Sequence, residues 1–118
     1  MKTSIEMGTP ILRVRASAGG SLDATNAACL KDAVLGGLHP GTVVIVSLRS
    51  VHTIDSAGAG ALVATLKAAR AQGGSLALVE VSPEVQRVLE LTRLSSVFEI
   101  HPDEKSALAA LLAVRPGD

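Results

Sequence analysis

The stretch TIDSAGAGALVATL, residues 53–66, places an acid, a hydroxyl and alternating small residues where a strand gives way to a helix. Asp55 is a good N-cap, because its carboxylate can accept from early backbone N–H groups and complements the positive end of the helix dipole. Gly58 and Gly60 each cost about 1 kcal/mol relative to alanine inside a helix. The stretch therefore predicts a helix that begins at Ser56, with the serine hydroxyl exposed.

Two interpretations of this first helical turn remain open. Gly58 and Gly60 would leave the turn almost free of side chains, so that another protein's backbone or nucleotide site could approach Ser56. A phosphate on Ser56 would face the unpaired N–H groups of the helix N-terminus. Alternatively, Asp-Ser is an ordinary helix start, and the two glycines serve close packing of the helix on the sheet.

Outward from this stretch, apolar residues recur at two spacings. Period-two alternation and β-branched runs predict strands, whereas apolar residues three and four apart predict helices. Strands that alternate with helices indicate parallel βαβ units in one sheet. The predicted strands are residues 4–7, 11–17, 42–48, 75–81 and 96–100, with a loop at 18–23 and a tail at 115–118.

Each predicted helix follows a residue suited to capping. A side-chain oxygen at the N-cap satisfies early N–H groups, and proline is favoured at the first helical position, as at Pro83. The predicted N-caps are Asp23, Asp55, Ser82 and Asp103, and the four helices end near Gly36-Gly37, Gly73-Gly74, Leu91 and Leu112.

Charge and aromatic content exclude a nucleic-acid partner. Eleven basic and eleven acidic residues give a formal net charge of zero, and Phe98 is the only aromatic residue. Nucleic-acid binders need a positive surface, and single-strand binders also stack bases on aromatic rings. The usual large anchors of protein interfaces are missing as well. Any protein contact must rely on small residues, backbone and a few polar groups.

The single cysteine and the absence of long apolar runs indicate the compartment. Cys29 alone excludes an internal disulfide and a multi-cysteine metal site, which favours a reducing cytoplasm. The apolar runs fall far short of the ~20 residues that span a bilayer, and we expect no signal peptide. We therefore expect residues 1–118 to form one soluble cytoplasmic domain without membrane insertion.

No arrangement of side chains indicates catalysis. His39, His52 and His101 each lie beside a predicted loop or strand end, and none is in a spaced pair that would bind a metal. Ser56 lacks the G-x-S-x-G elbow of a hydrolase, since Ile54 occupies the first glycine position. There is no dinucleotide fingerprint and no Walker lysine. We expect no enzyme activity, no metal and no cofactor.

Three motifs, in this order, carry a resemblance to a known family. The motifs are DSAGAG, GGSLALV and SPEVQRVLELTRLSSVF. Each is similar to the corresponding segment of the STAS domain, the family of bacterial anti-sigma factor antagonists. In that family the first motif reads D-S-[SG]-G-L-G. The resemblance covers about residues 11–112. It implies an α/β fold, with a mixed β-sheet of four to five strands and about four helices packed mainly on one face.

The resemblance also implies a function by partner switching. The unphosphorylated protein would bind an anti-sigma factor serine kinase and thereby release the sigma factor. Phosphorylation of the serine after the aspartate would reverse this binding, and a phosphoserine phosphatase would restore it. Carried over by position, the phosphorylated residue is Ser56, and the implied partner-binding residues are Asp23, Asp55, Ser56, Ala57, Gly58 and Gly60.

The chain departs from the family pattern at four positions. Ser21 replaces the glutamate of a Gly-Glu-Leu-Asp loop, and Ser47 stands where the central strand commonly has an aspartate. Ala57 replaces a second hydroxyl, which leaves Ser56 as the only candidate in its turn. Arg93 replaces the glycine that usually closes the third helix. The altered loops indicate a different kinase partner.

Two other functions fit the same resemblance. The chain could be a STAS subunit of a lipid or anion transport complex, in which this surface docks permanently and Ser56 only begins a helix. It could also be a sensor that binds a nucleotide or another small ligand near the helix start. Asp23 is either a plain N-cap or part of the partner surface, because loops at the same strand ends cluster.

The remaining polar residues are given structural roles. Nothing cationic near Cys29 would activate its thiol, so we expect a small core residue there. We expect structural roles for Thr25 and Thr53. Lys67 and Arg70 are interpreted as a solvated helix face, with a role in docking a partner as the alternative.

Overall fold

The computed structural model of this protein describes residues 2–6, 8–16 and 19–113. These residues form seven strands and four helices, joined by turns and loops. Residues 1, 7, 17, 18 and 114–118, which include the ends of two predicted strands, the start of a loop and the tail, lie outside the described residues. The elements, with a 3₁₀ turn at Leu94–Ser96 before the last strand, are β1 (Lys2–Glu6), β2 (Thr9–Arg15), β3 (Gly20–Leu22), α1 (Ala27–Gly37), β4 (Val43–Ser47), β5 (Val51–Ile54), α2 (Ser56–Ala71), β6 (Ser75–Val79), α3 (Pro83–Leu91), β7 (Glu99–His101) and α4 (Glu104–Ala113).

The main sheet has five strands in the order β1-β2-β4-β6-β7. β1 pairs antiparallel with β2, and the other three pairs are parallel. Parallel neighbours need a crossover, and α1, α2 and α3 supply the three crossovers in turn. The mixed five-stranded sheet and its four helices confirm the predicted fold class, including the short strand ahead of β2.

The two faces of the sheet are covered unequally. Successive residues of a strand point to opposite faces. Leu12 and Val44 belong to the larger buried cluster, which includes side chains of α1, α2 and α3. Ile11 and Ile45 belong to a smaller cluster that includes side chains of α4. Three helices therefore pack on one face and one helix on the other, as expected.

Arg13 of β2 joins α4 to the edge of the sheet. Its Nε donates to Glu104 at the start of α4 over 2.8 Å, and its Nη1 donates to Ser4 of β1 over 2.6 Å. Its Nη2 donates to Glu6. The two glutamates, Glu104 foremost, raise the pKa of Arg13 above its ordinary value. The charged guanidinium thus links β1, β2 and α4.

The predicted caps of α3 and α4 are confirmed. Ser82 Oγ accepts from the N–H of Val85 over 3.2 Å, and Pro83 occupies the first helical position. Asp103 Oδ1 accepts from the N–H of Ser106 over 2.7 Å. That hydrogen bond stabilises the charged carboxylate and lowers the pKa of Asp103.

β3 and β5 correct the predicted loop and turn. Residues 20–22 lie in the predicted loop and residues 53–54 in the predicted helix-start stretch, yet they pair in parallel as a second, two-stranded sheet. The register places Leu22 opposite Ile54. Each segment is too short to show a period of its own, and only pairing with the distant segment makes it a strand. This small sheet leads directly into α2.

The last strand is shorter than predicted. Residues 96–100 were expected to be extended, but the 3₁₀ turn occupies Leu94–Ser96 and β7 begins at Glu99. The N–H groups of Val97 and Phe98 both donate to the carbonyl of Leu94. This turn carries the Phe98 ring into the larger core cluster, where it is 6% exposed. Burial of the single aromatic side chain therefore outweighs the β propensity of this segment.

Arg93 closes α3 in a conformation that favours glycine. Thr92 is the C-cap, and Arg93 follows in the left-handed region with φ 63° and ψ 15°. The Arg93 N–H donates to the carbonyl of Glu90 over 3.1 Å. The helix therefore ends where the family glycine would end it, but with a residue that has a Cβ.

We expect Arg93→Gly to raise the free energy of unfolding by about 1 kcal/mol, because the left-handed conformation costs a residue with a Cβ roughly 1–2 kcal/mol. Arg87→Gly is the matched control, since Arg87 is exposed inside the same helix. It should lower the free energy of unfolding by about 1 kcal/mol. Urea denaturation measures both. Equal losses in the two variants would contradict the assigned strain.

Candidate partner-binding site at the start of α2

Asp55 turns the chain from β5 into α2. Its N–H donates to the carbonyl of Leu22 over 3.2 Å, which extends the pairing of the small sheet by one bond. Its Oδ1 accepts from the N–H of Gly58 over 2.9 Å, and its carbonyl accepts from Ala59 over 2.9 Å. Asp55 is therefore the N-cap of a helix whose first residue is Ser56, as the sequence predicts.

The Ser56 side chain is exposed at this first helical position. Among the described residues, its hydroxyl has no hydrogen-bond partner. The neighbouring Ala57 is half-buried, and Gly60, one turn further on, is exposed. A Cβ at Gly60 would meet nothing within 4 Å. The surface next to the hydroxyl is thus open to an approaching molecule.

Gly58 and Gly60 have different surroundings, and each fits a different one of the two interpretations of the first turn. Gly58 is buried, and a Cβ there would lie 2.2 Å from the carbonyl oxygen of Leu22. Close packing of α2 on β3 accounts for this glycine. Gly60 has no such neighbour, so packing does not account for it. Only Gly60 contributes to the open surface beside Ser56.

Asp23 corrects the predicted cap of α1. The helix begins at Ala27, with Asn26 in the N-cap position. Asp23 lies four residues earlier, where Oδ1 accepts from the N–H and hydroxyl of Thr25 and Oδ2 accepts from Ser21. The Asp23 carbonyl also accepts from the N–H of Ala27 over 2.8 Å, so Asp23 caps the turn that leads into α1, and the helix itself begins one turn later.

The hydrogen bonds that hold Asp23 also keep it charged. The hydroxyl of Thr25, then that of Ser21 and the Thr25 N–H, favour the carboxylate and lower its pKa. Thr25 thus has the structural role expected of it. Asp23 follows Leu22, whose carbonyl accepts from Asp55, so the two acids leave the small sheet at the same edge. The structure brings Asp23 and the Ser56 turn to one side of the molecule.

Two residues outside the sequence-based site hold this turn in place. Leu22 accepts from Asp55 and lies against Gly58, and Ser82 Oγ donates to the carbonyl of Val51, the first residue of β5, over 3.3 Å. A glycine inside a strong helix signals a close backbone approach. That signal does not say which distant residue approaches, so Leu22 could not be named from the sequence.

Cys29 is exposed, and its predicted core position is wrong. The buried side chains of α1 are Leu30 and Val34, which lie on a different face of the helix from Cys29. Lys67 and Arg70 are exposed on α2, as expected of a solvated face.

Across residues 2–6, 8–16 and 19–113, no group of three or more His, Cys, Asp and Glu side chains could hold a metal ion. His52 lies 3.9 Å from Glu84, and His101 lies 3.1 Å from Glu99. Within the same part of the chain, every helix is too short or too polar to cross a membrane.

The comparison with family models decides the identity of the fold. The STAS domain model matches residues 8–107, close to the 11–112 expected from the motifs. The chain belongs to the STAS domain family.

Among curated proteins, this STAS domain is similar to two anti-sigma factor antagonists. It is 31% identical to the anti-sigma F factor antagonist of Paenibacillus polymyxa over 60% of this chain and 61% of that protein. It is 29% identical to the anti-sigma-B factor antagonist of Bacillus subtilis over 74% of this chain and 80% of that protein. The alignment thus spans only about three fifths of the Paenibacillus relative's length.

Solved structures of differently named proteins share this fold. An anti-sigma-factor antagonist (STAS) domain protein from Planctomyces limnophilus has a TM-score of 0.75 at 23% identity, covering 94% of this chain and 97% of that one. A sulfate transporter family protein from Wolinella succinogenes has a TM-score of 0.75 at 21% identity, covering 93% and 89%. At these identities the likeness concerns the STAS fold alone.

The two glycines of the STAS domain turn should respond oppositely to the same change. We expect Gly58→Ala to lower the free energy of unfolding by about 3 kcal/mol or more, because its Cβ would overlap the Leu22 carbonyl. Gly60→Ala should raise it by about 1 kcal/mol, because its Cβ would meet open space in an exposed helix. Thermal and urea melts measure both. A Gly58→Ala variant as stable as wild type would contradict the packing role.

Proposed function

We propose that this protein is an anti-sigma factor antagonist that works by partner switching. Its unphosphorylated form binds an anti-sigma factor serine kinase and so releases the sigma factor. Phosphorylation of Ser56 by that kinase reverses the binding, and a phosphoserine phosphatase restores it. The protein acts in the cytoplasm as a regulator, with no chemistry and no cofactor of its own.

The observation that supports this proposal most directly is the exposed hydroxyl of Ser56, which has no partner in the described part of the chain, with open surface at Gly60 beside it. Asp55 uses its carboxylate to cap α2, so the hydroxyl is held on a regular helix rather than on a loop. The names of the two curated relatives give the kind of partner. Asp23, Asp55, Ala57 and Gly60 complete the proposed contact surface around Ser56, while Gly58 supports it from behind.

The proposed switch acts at the interface and leaves the fold intact. A phosphate adds about −1.5 to −2 charge at pH 7. At a helix N-terminus the dipole favours an anion by ~0.3–1 kcal/mol, and the adjacent Asp55 opposes it, so the two exposed effects nearly cancel. In the complex, the dianion would enter a surface shaped for a hydroxyl, beside Asp55 and the kinase's nucleotide phosphates. Like charges placed together there cost several kcal/mol.

A STAS subunit of a transport complex is the second candidate, and the likeness to the Wolinella sulfate transporter family protein favours it. In that case the same surface would dock permanently on a transporter, and Ser56 would not be modified. Incubation with ATP and each purified anti-sigma serine kinase of the source organism, followed by intact-mass measurement, separates the two. A mass gain of one phosphate supports the switch.

We expect Ser56→Ala to fold normally, to resist phosphorylation and to stay bound to the kinase. Alanine is a better helix former and the lost hydroxyl has no partner, so the free energy of unfolding should change by no more than about 1 kcal/mol. Thr3→Ala, at an exposed hydroxyl residue of the edge strand β1, is the control, and the variant should be phosphorylated on Ser56 like wild type. Equal modification of Ser56→Ala would place the acceptor elsewhere.

We expect phosphorylation of Ser56 to leave the melting temperature almost unchanged while weakening kinase binding at least tenfold, which corresponds to about 1.4 kcal/mol. Ser56→Asp should behave similarly, because it adds an anion at the same place. Ser56→Asn has nearly the same size without the charge and should bind more tightly than Ser56→Asp. Differential scanning fluorimetry and titration calorimetry measure these effects. A large fall in melting temperature would mean that the switch works by unfolding.

A further inference from the structure

At the far end of α2 from Ser56, cations and exposed aliphatic side chains form what we call the basic–apolar corner, comprising Lys67, Arg70, Leu91, Arg93 and Val97. Leu91 is 74% exposed and Val97 is 38% exposed, two of only four large hydrophobic side chains in the described part of the chain that face solvent. Arg70 Nη2 donates to the carbonyl of Val97 over 3.4 Å, which joins the end of α2 to the segment after α3.

The cations of this corner are available to a partner. Lys67, Arg70 and Arg93 are all exposed, and none forms an ion pair with any residue in the described ranges. The acid nearest in sequence, Glu90, accepts a hydrogen bond from Gln86 on its own helix. A docked surface must therefore supply the opposite charge.

One stripe of α2 connects the corner to the proposed switch. Residues 56, 60, 63, 67 and 70 are spaced by three or four and so follow one side of the helix. Residues 56, 60, 67 and 70 are exposed there, and Val63 between them is half-buried against the larger core cluster. The stripe is about 21 Å long, because 14 steps along the helix separate residues 56 and 70 at a rise of ~1.5 Å each. An interface of ordinary size covers about 800 Å² on each partner, enough to include both ends.

We propose that the partner that covers Ser56 also docks on the basic–apolar corner, through an acidic segment that carries an aliphatic side chain. This inference rests on the proposed function. The only aromatic side chain, Phe98, is buried in the core, so Leu91 and Val97 are the apolar anchors that the corner can offer. Cations without counter-charges select an acidic partner and speed its approach.

A protein partner fits this corner better than a lipid surface. A helix that binds a membrane surface buries a broad apolar face, flanked by a row of cations. Here the apolar contribution is two aliphatic side chains at the meeting of a helix and a turn, without aromatic residues. Phosphorylation of Ser56 would leave this corner unchanged, so the released partner could still make a weak first encounter through it.

The test uses the purified anti-sigma kinase that phosphorylates Ser56, with binding followed by stopped-flow kinetics at several salt concentrations. Lys67→Glu should slow association about tenfold at low salt, with the difference shrinking as salt screens the charges. Leu91→Ala should speed dissociation severalfold. Lys105→Glu, at an exposed lysine of α4 on the opposite face of the sheet, is the matched control and should change neither rate. Circular dichroism melts verify that each variant is folded.

The outcomes distinguish a failure of the corner proposal from a failure of the proposed Ser56 switch. If Lys67→Glu and Leu91→Ala bind like Lys105→Glu while Ser56→Asp binds weakly, the corner is not a docking surface and the proposed switch stands. If both corner variants bind weakly while Ser56→Asp binds like wild type, the corner stands and the switch fails. A third measurement is sedimentation with phosphatidylglycerol vesicles. If wild type sediments with the vesicles and Lys67→Glu does not, while kinase binding is the same in both, the corner binds a membrane instead.

Discussion

The close approach of α2 to the backbone of Leu22 is the constraint on which the Ser56 turn depends. The Leu22 carbonyl accepts from Asp55 and lies where a Cβ of residue 58 would otherwise be. A glycine at 58 allows this contact, and the contact holds the N-cap acid at the end of the small sheet. The exposed serine is then presented on rigid elements, as the proposed switch requires.

The sheet is covered by three helices on one face and by a single helix on the other. α1, α2 and α3 lie together on one side, and their N-termini follow the ends of the parallel strands, where loops of different elements converge. α4 covers the other side alone, anchored by Arg13 and its carboxylate partners. The proposed switch lies at the start of α2, and the basic–apolar corner joins the other end of α2 to the end of α3 and the segment after it.

How much of this could be predicted differs from residue to residue. Asp55, Ser82 and Asp103 were identified correctly as caps because capping depends on side chains within a few residues of the helix start. Asp23 has the same chemistry and caps a turn through the Thr25 N–H, but α1 begins only at Ala27, after that turn. Cys29 was misplaced because a single small apolar residue on a short helix carries little information about which face is buried.

The sequence by itself determined the order of the four helices and the five main-sheet strands, the helix start at Ser56 and the membership of the STAS family, because these depend on local periodicity, local capping and recognisable motifs. Tertiary structure alone decided that β3 pairs with β5, that Gly58 packs while Gly60 stays open, and that Arg70 meets Val97. Each of these joins residues that are distant along the chain. Only the folded backbone brings such residues within contact, so no local pattern could have reported them.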